Sequence, residues 1–151
     1  PVLAGGGLSD GRGLAAALSF GAQGAWLGTR FIATKESYAH DNYKTRIADT
    51  DAGGTVVTRA HSGKPCRLIA NDFTAQWASR EAEIQPFPLQ AKEVGEPASV
   101  LGRHEGDTDN GVLPAGQGCG LIHAVPHAAD VVADIVREAS DIMRRMQSFV
   151  G

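Results

Sequence analysis

Two glycine loops near the start of the chain restrict its possible folds more than any other feature. A short apolar run, Val2-Leu3-Ala4, breaks into Gly5-Gly6-Gly7. An alanine-rich stretch with Leu14, Leu18 and Phe20 follows, helix-grade over residues 10–21. A second apolar run, Ala25-Trp26-Leu27, then ends at Gly28-Thr29-Arg30. The order is strand, glycine loop, helix, strand, glycine loop: one βα unit and the start of the next. Glycine after a strand lets backbone N–H groups face an anion with no Cβ in the way, and a helix N-terminus adds partial positive charge. Two such loops after adjacent parallel strands suit one phosphate group. In a (β/α)8 barrel the loops after the last two strands are the usual phosphate site. A single glycine loop is also an ordinary tight turn, so the pairing carries the weight.

The stretch Gly-Gly-Gly-Leu-Ser-Asp-Gly-Arg-Gly-Leu-Ala-Ala-Ala-Leu, followed by Gly-Ala-Gln-Gly-Ala-Trp-Leu-Gly-Thr-Arg-Phe, resembles the nitronate monooxygenase family of FMN-dependent barrel enzymes. A looser form of the pattern occurs in IMP dehydrogenase and other barrel enzymes that bind FMN or nucleotide phosphates. The resemblance implies that a flavin phosphate lies on Gly6 and Gly7 in the first loop and on Gly28 and Thr29 in the second. It implies FMN as cofactor, and an alkyl nitronate and molecular oxygen as reactants. The Gly-Thr-Arg-Phe ending favours this branch, which also contains an FMN-dependent enoyl-acyl-carrier-protein reductase, the alternative activity. Thr-Arg-Ala-His-Ser-Gly-Lys-Pro-Cys-Arg at residues 58–67 also resembles the family, although a plain hairpin reads the same way. So does Leu113-Pro114-Ala115-Gly116-Gln117-Gly118-Cys119-Gly120, where an Ala-Gly-Gln segment re-enters the barrel mouth near the flavin. That adds Gln117 to the expected cofactor site, a side chain that both donates and accepts. A glycine-rich linker before the last helix is the alternative. The family's catalytic histidine stands in a Gly-Gly-His context. None of His40, His61, His104, His123 and His127 does, so the catalytic residue is expected upstream of this chain.

The rest of the chain sorts around these motifs. Residues 34–49 read as a helix that Thr34 can cap, with His40, Tyr43 and Lys44 on one face, either lining a site or solvated. Residues 55–59 and 66–69 read as a β-branched hairpin. Asn71 is a candidate cap for a helix over 72–83, with Phe73 and Trp77 an apolar pair. Pro86, Pro88 and Pro97 predict that 85–110 is extended or irregular, interrupted by helix near 89–94. Gly106-Asp107-Thr108-Asp109-Asn110-Gly111 reads as turn chemistry rather than a calcium loop. Residues 126–147 read as a closing outer helix with one apolar stripe. The expected class is α/β: the C-terminal portion of a (β/α)8 TIM barrel with an inserted α+β lid or substrate domain. The segments are 1–33 for barrel strands and phosphate loops, 34–112 for the insertion, and 113–151 for re-entry and closure.

Composition narrows the function. A formal charge of −3 argues against nucleic acid or anionic membrane as a main partner. No apolar run approaches the ~20 residues that cross a bilayer. Two lone cysteines, Cys66 and Cys119, suit a reduced, cytoplasmic setting. A barrel of this class needs about 250 residues, and this chain has 151 and opens on a strand. It is therefore expected to be the C-terminal part of a longer protein, with the remainder of the barrel as its partner and little activity alone. A non-catalytic fragment that binds a phosphate-bearing ligand is a further alternative. No metal set is expected; the only close pair is His123 with His127. Gly7-Leu8-Ser9-Asp10-Gly11 matches the Gly-x-Ser-x-Gly pattern of hydrolases, but Ser9 and Asp10 read more simply as a helix cap.

Overall fold

A computed structural model describes residues 1–149, a mixed α/β arrangement. Strands β1 (Leu3–Gly5) and β2 (Gly24–Trp26) pair in parallel, with Leu3 opposite Gly24 and Gly5 opposite Trp26. Helix α1 (Gly11–Ser19) connects them. It starts at residue 11 because Asp10 is extended and its carboxylate accepts from the Gly13 N–H at 3.0 Å, satisfying one orphan donor of the first turn. Its small residues Ala15 and Ala17 are buried, letting α6 (Ala128–Gln147) approach with Val131, Ile135 and Ala139. Contact is closest at Gly11, where an added Cβ would lie 2.6 Å from the Ala139 nitrogen. The last helix of the chain thus covers the first.

The helix expected over 34–49 is shorter and begins later. Four residues after Gly28 form α2 (Thr29–Ile32), and the chain then turns until α3 (Asp41–Ala48). Thr34 is no cap: its hydroxyl donates back to the Phe31 carbonyl. The true cap is His40, whose Nδ1 accepts from the Asn42 N–H and whose own N–H goes to the Arg103 carbonyl at 2.8 Å. That long-range bond decides the start of the helix, and no local signal announces it. The face expected to line a site or be solvated is instead interior: His40 stands at the cap, and Tyr43 and Lys44 are both buried. Tyr43 is buried with its hydroxyl on the Pro114 carbonyl, and burial raises its pKa. Lys44 is buried with Nζ 3.2 Å from Asp41.

Strands β3 (Thr55–Thr58) and β4 (Cys66–Ile69) form the expected antiparallel hairpin. Helix α4 (Asp72–Ala78) follows with a full capping box between Asn71 and Thr74. It stops short of residue 83, giving way to a 3-10 turn at Glu81–Glu83. The larger correction falls on 85–110. A π-helical turn, Ala91–Gly95, runs into α5 (Glu96–Arg103). Pro97 sits in the first turn of α5, where a missing N–H costs nothing, so it does not break the helix. Gln90 anchors the segment from full burial, accepting from the Gln85 N–H and donating to the Ala60 carbonyl at 2.7 Å. Residues 106–111 are a turn in which the Asp107 carboxylate accepts from the Asp109 and Asn110 N–H groups. The last helix begins after His127, two residues beyond Pro126.

Two apolar clusters result. One joins Ala33, Tyr43 and Ile47 to Ile69, Leu113 and Ile122; the other joins Ala60, Leu68, Phe73, Trp77 and Val112. Around β1 and β2 the situation is different. Val2, Leu3, Phe20 and Trp26 are 65%, 56%, 93% and 71% exposed, and a groove of about 490 Å³ runs along Val2, Ala4, Leu8, Ala17 and Phe20. The two-stranded parallel sheet has no further strand among the described residues. Half-buried Asn71 ties two segments together: besides capping α4, its Nδ2 donates to the carbonyls of Thr108 and Gly111. Replacing it, Asn71→Ala, is expected to cost about 2 kcal/mol or more through the lost cap and two stranded carbonyls. A lower urea midpoint in the protein carrying this chain would show it.

Candidate functional site

Gly6 and Gly7 have φ of +97° and +73°, a left-handed turn that side chains with a Cβ rarely enter. A Cβ on Gly6, Gly7 or Gly28 would meet nothing within 4 Å, so open space lies before all three. Among the described residues their N–H groups have no hydrogen-bond acceptor. The two nearby helix N-termini differ. At α1, Asp10 accepts from the Gly13 N–H and Glu138 accepts from the Gly11 N–H at 2.7 Å, so two carboxylates already serve that end. At α2, Gly28 offers no side-chain cap and the first turn contains no acidic residue. Among the described residues the Thr29 and Arg30 N–H groups of α2 have no acceptor, whereas those of Phe31 and Ile32 bond the Gly28 carbonyl.

A third strand of chain closes over the two loops. The Gly116 N–H donates to Thr29 Oγ1 at 3.0 Å, and the Ser9 hydroxyl, only 4% exposed, donates to the Gly118 carbonyl at 2.9 Å. A Cβ on Gly116 would stand 3.8 Å from the Gly7 nitrogen, and one on Gly118 would run into the Ser9 hydroxyl and the Gly7 carbonyl. Gln117, between these pinned glycines, opens the 3-10 turn Gln117–Leu121. Its side chain is exposed and engages no other described residue. Thr29 Oγ1 serves as acceptor to Gly116, which leaves its proton available to donate. The structure thus brings together Gly7, Thr29 and residues 116–118, with Gly6 and Gly28 adjoining.

Arg30, the second residue of α2, is not among the sequence candidates. It is 8% exposed, its Nη2 donates to the Ala33 and Ala124 carbonyls, and its Nε has no partner. Burial pulls its pKa down, and no carboxylate lies within ion-pair distance among the described residues. Arg30 is therefore a buried positive charge held by backbone carbonyls. Beyond it, Glu36 reaches the N-terminus of α6: one oxygen accepts from the Ala128 N–H at 2.8 Å and the other contacts His127 Nδ1 at 2.7 Å.

The remaining sequence candidates lie elsewhere. His61 is in the hairpin unit between Cys66 and Ser99, its pKa lowered by burial and then by the charge of Arg103; burial raises the Cys66 thiol. His123 is exposed, and His127 caps α6, so the two share no helix. No group of three potential metal ligands occurs among the described residues. Ser9 is buried on a backbone carbonyl and touches no histidine, which removes the hydrolase reading. No helix among the described residues is long and apolar enough to cross a membrane.

The family model for nitronate monooxygenase matches residues 1–138. The chain belongs to the nitronate monooxygenase family. A curated nitronate monooxygenase of Paraburkholderia phytofirmans is 37% identical over all of this chain and 41% of that protein. A probable nitronate monooxygenase of Staphylococcus saprophyticus is 34% identical over 96% of the chain and 40% of its own length. The chain therefore spans about two fifths of these relatives. Among solved structures, FabK from Thermotoga maritima superposes with a TM-score of 0.86 at 35% identity, over 99% of this chain and 47% of that one. A nitroalkane oxidase from Streptomyces ansochromogenes gives 0.83 at 30% identity, over 97% and 41%.

The cap on α6 gives a pH prediction. The Ala128 N–H, then His127, hold the Glu36 carboxyl from an ordinary 4.5 down to about 2. A depressed carboxylate contributes stability above its unfolded pKa and loses it as pH falls through the folded one. The tie between residue 36 and α6 should therefore be intact above pH 4.5 and fade toward pH 2. Carbon-13 NMR titration of the Glu36 carboxyl should find a midpoint well below that of an exposed glutamate. A midpoint near 4.5 would contradict the cap.

Proposed function

We propose that this chain supplies the flavin-phosphate site of an FMN-dependent oxidoreductase that oxidises alkyl nitronates with molecular oxygen. The observation that carries the reading is the cradle of unspent donors. The N–H groups of Gly6, Gly7 and Gly28 have no acceptor among the described residues, a Cβ on any of the three would meet nothing within 4 Å, and α2 follows Gly28 with no side-chain cap and no acidic residue. A phosphate placed there meets several N–H donors, the Thr29 hydroxyl proton and the partial charge of a helix end. The buried, unpaired guanidinium of Arg30 favours a negative ligand further. The residues present thus fit the group. A glycine-rich clamp beside a short extra helix is also how (β/α)8 barrels hold phosphates.

Within this reading, residues 1–33 are barrel strands and phosphate loops, 34–112 an inserted lid or substrate-side unit, and 113–151 the re-entry and closing helix. The exposed Val2, Leu3 and Trp26 are then surface that the remainder of the barrel covers. Bound FMN would take electrons from the nitronate and deliver them to oxygen. The chain's own part is to hold and orient: Gly6, Gly7, Gly28 and Thr29 grip the phosphate, and the Gln117 carboxamide faces the ligand from the third side. No residue of this chain is assigned to move a proton. The isolated 151-residue chain should accordingly show negligible turnover.

The test uses the protein that carries this chain. Oxygen consumption with an alkyl nitronate should require FMN. Gly7→Val forces a β-branched residue into a positive φ and places methyl groups where the phosphate approaches. It should weaken FMN at least tenfold, read by flavin fluorescence, while riboflavin, which lacks the phosphate, loses far less. Unchanged FMN binding in Gly7→Val would sink the clamp. Nicotinamide-dependent reduction of an enoyl thioester, with no oxygen consumed on nitronate, would move the assignment to the reductase alternative.

A further inference from the structure

From the way residues 116–118 are pinned, we infer that Ser9 is a positioning residue for the flavin, acting through Gln117. Its hydroxyl fixes the re-entrant segment on the first glycine loop so that the Gln117 carboxamide faces the non-phosphate part of the ligand. The inference rests on the flavin-phosphate reading and adds to it a separation of roles: Gly7 and Thr29 read the phosphate, Ser9 and Gln117 the remainder.

The geometry is specific. Ser9 lies just before the cap of α1 and is 4% exposed, yet its hydroxyl serves no helix N–H. Asp10 takes the capping role, accepting from the Gly13 N–H, and the Ser9 hydroxyl donates across 109 residues of chain to the Gly118 carbonyl at 2.9 Å. Two residues earlier, the Gly116 N–H is held by Thr29 Oγ1 at 3.0 Å. The backbone on either side of Gln117 is therefore fixed, one side to each glycine loop. The side chain between them is exposed and engages no other described residue. A solvent-exposed carboxamide on a two-point mount, with no hydrogen bond to its own chain among the described residues, is available to a ligand. The mount also tolerates no bulk, because a Cβ on Gly118 would collide with the Ser9 hydroxyl.

Removing the Ser9 hydroxyl strands a buried carbonyl and frees one of the two points. The consequence for the ligand should equal that of removing the Gln117 carboxamide, and the two should not add. In the full-length protein, FMN and riboflavin affinities are measured by flavin fluorescence for wild type, Ser9→Ala, Gln117→Ala and the double variant. Ser9→Ala and Gln117→Ala should each weaken both flavins by a similar factor, on the order of tenfold. The double variant should be no weaker than Gln117→Ala alone. Gly118→Ala disturbs the same bond from its other partner and also presses on Gly7, so it should weaken riboflavin as Ser9→Ala does and FMN at least as much, which keeps the test alive if Ser9→Ala folds poorly. Unchanged flavin affinity in Ser9→Ala and Gly118→Ala overturns the inference. So do losses that add in the double variant, or a loss confined to FMN. Failure of the phosphate reading itself shows separately, as equal FMN and riboflavin affinity in wild type or an unaffected Gly7→Val.

Discussion

Two hydrogen bonds hold distant parts of this chain in one place: Gly116 N–H to Thr29 Oγ1 and Ser9 Oγ–H to the Gly118 carbonyl. Each contributes only about 1 kcal/mol net, but breaking the buried one strands an acceptor at a cost of about 1–3 kcal/mol. They act across 87 and 109 residues of sequence separation, so they tie the first strand–helix unit to the segment that precedes the last helix. The contact of α1 with α6 repeats that closure on the outside, with Gly11 against the Ala139 backbone and Glu138 on the Gly11 N–H. Without these ties the two glycine loops would still exist as turns, but the third side of the cradle would be missing.

Charge then distinguishes the two helix ends beside the glycine loops. The N-terminus of α1 follows the first glycine loop and would be the obvious phosphate end, yet Asp10 and Glu138 occupy it. A phosphate there would meet like charge. The N-terminus of α2 has neither side-chain cap nor carboxylate, and the buried Arg30 belongs to that helix. Its Nη2 is held by two carbonyls while its Nε has no partner, and an unsatisfied buried polar group is costly. Glu36 shows the same logic on the other side: an acidic residue from the segment after α2 accepts from the Ala128 N–H and places negative charge at the N-terminus of α6.

The middle of the chain is built by packing more than by local preference. Helix α5 sits where three prolines predicted irregular chain, because Pro97 occupies a first-turn position and Gln90 is locked between the Gln85 N–H and the Ala60 carbonyl. The start of α3 is set by His40 donating to the Arg103 carbonyl, sixty-three residues downstream. These elements join residues 43–69 to 112–122 through shared apolar clusters. The unit between the glycine loops and the re-entrant segment is thus packed on that segment, the one that carries Gln117.

By itself the sequence determined the local grammar. Two apolar runs ending in glycine, an alanine-rich helix with Asp10 before it, the hairpin, the Asn71 cap and the amphipathic last helix all act over a few residues, so composition and spacing expose them. Gly6, Gly7, Gly28, Thr29 and Gln117 entered as candidates through the family resemblance, which rests on short, contiguous motifs. Only the tertiary structure decided which helix end is free, because that depends on Glu138 arriving from 127 residues away. It alone decided that Ser9 faces Gly118 instead of capping a helix, that Arg30 is buried without a carboxylate, and that Tyr43 and Lys44 belong to the interior. The physical reason is common to all of them. A hydrogen bond or a buried charge is settled by what the folded chain brings within about 3 Å, and sequence spacing has no access to that distance.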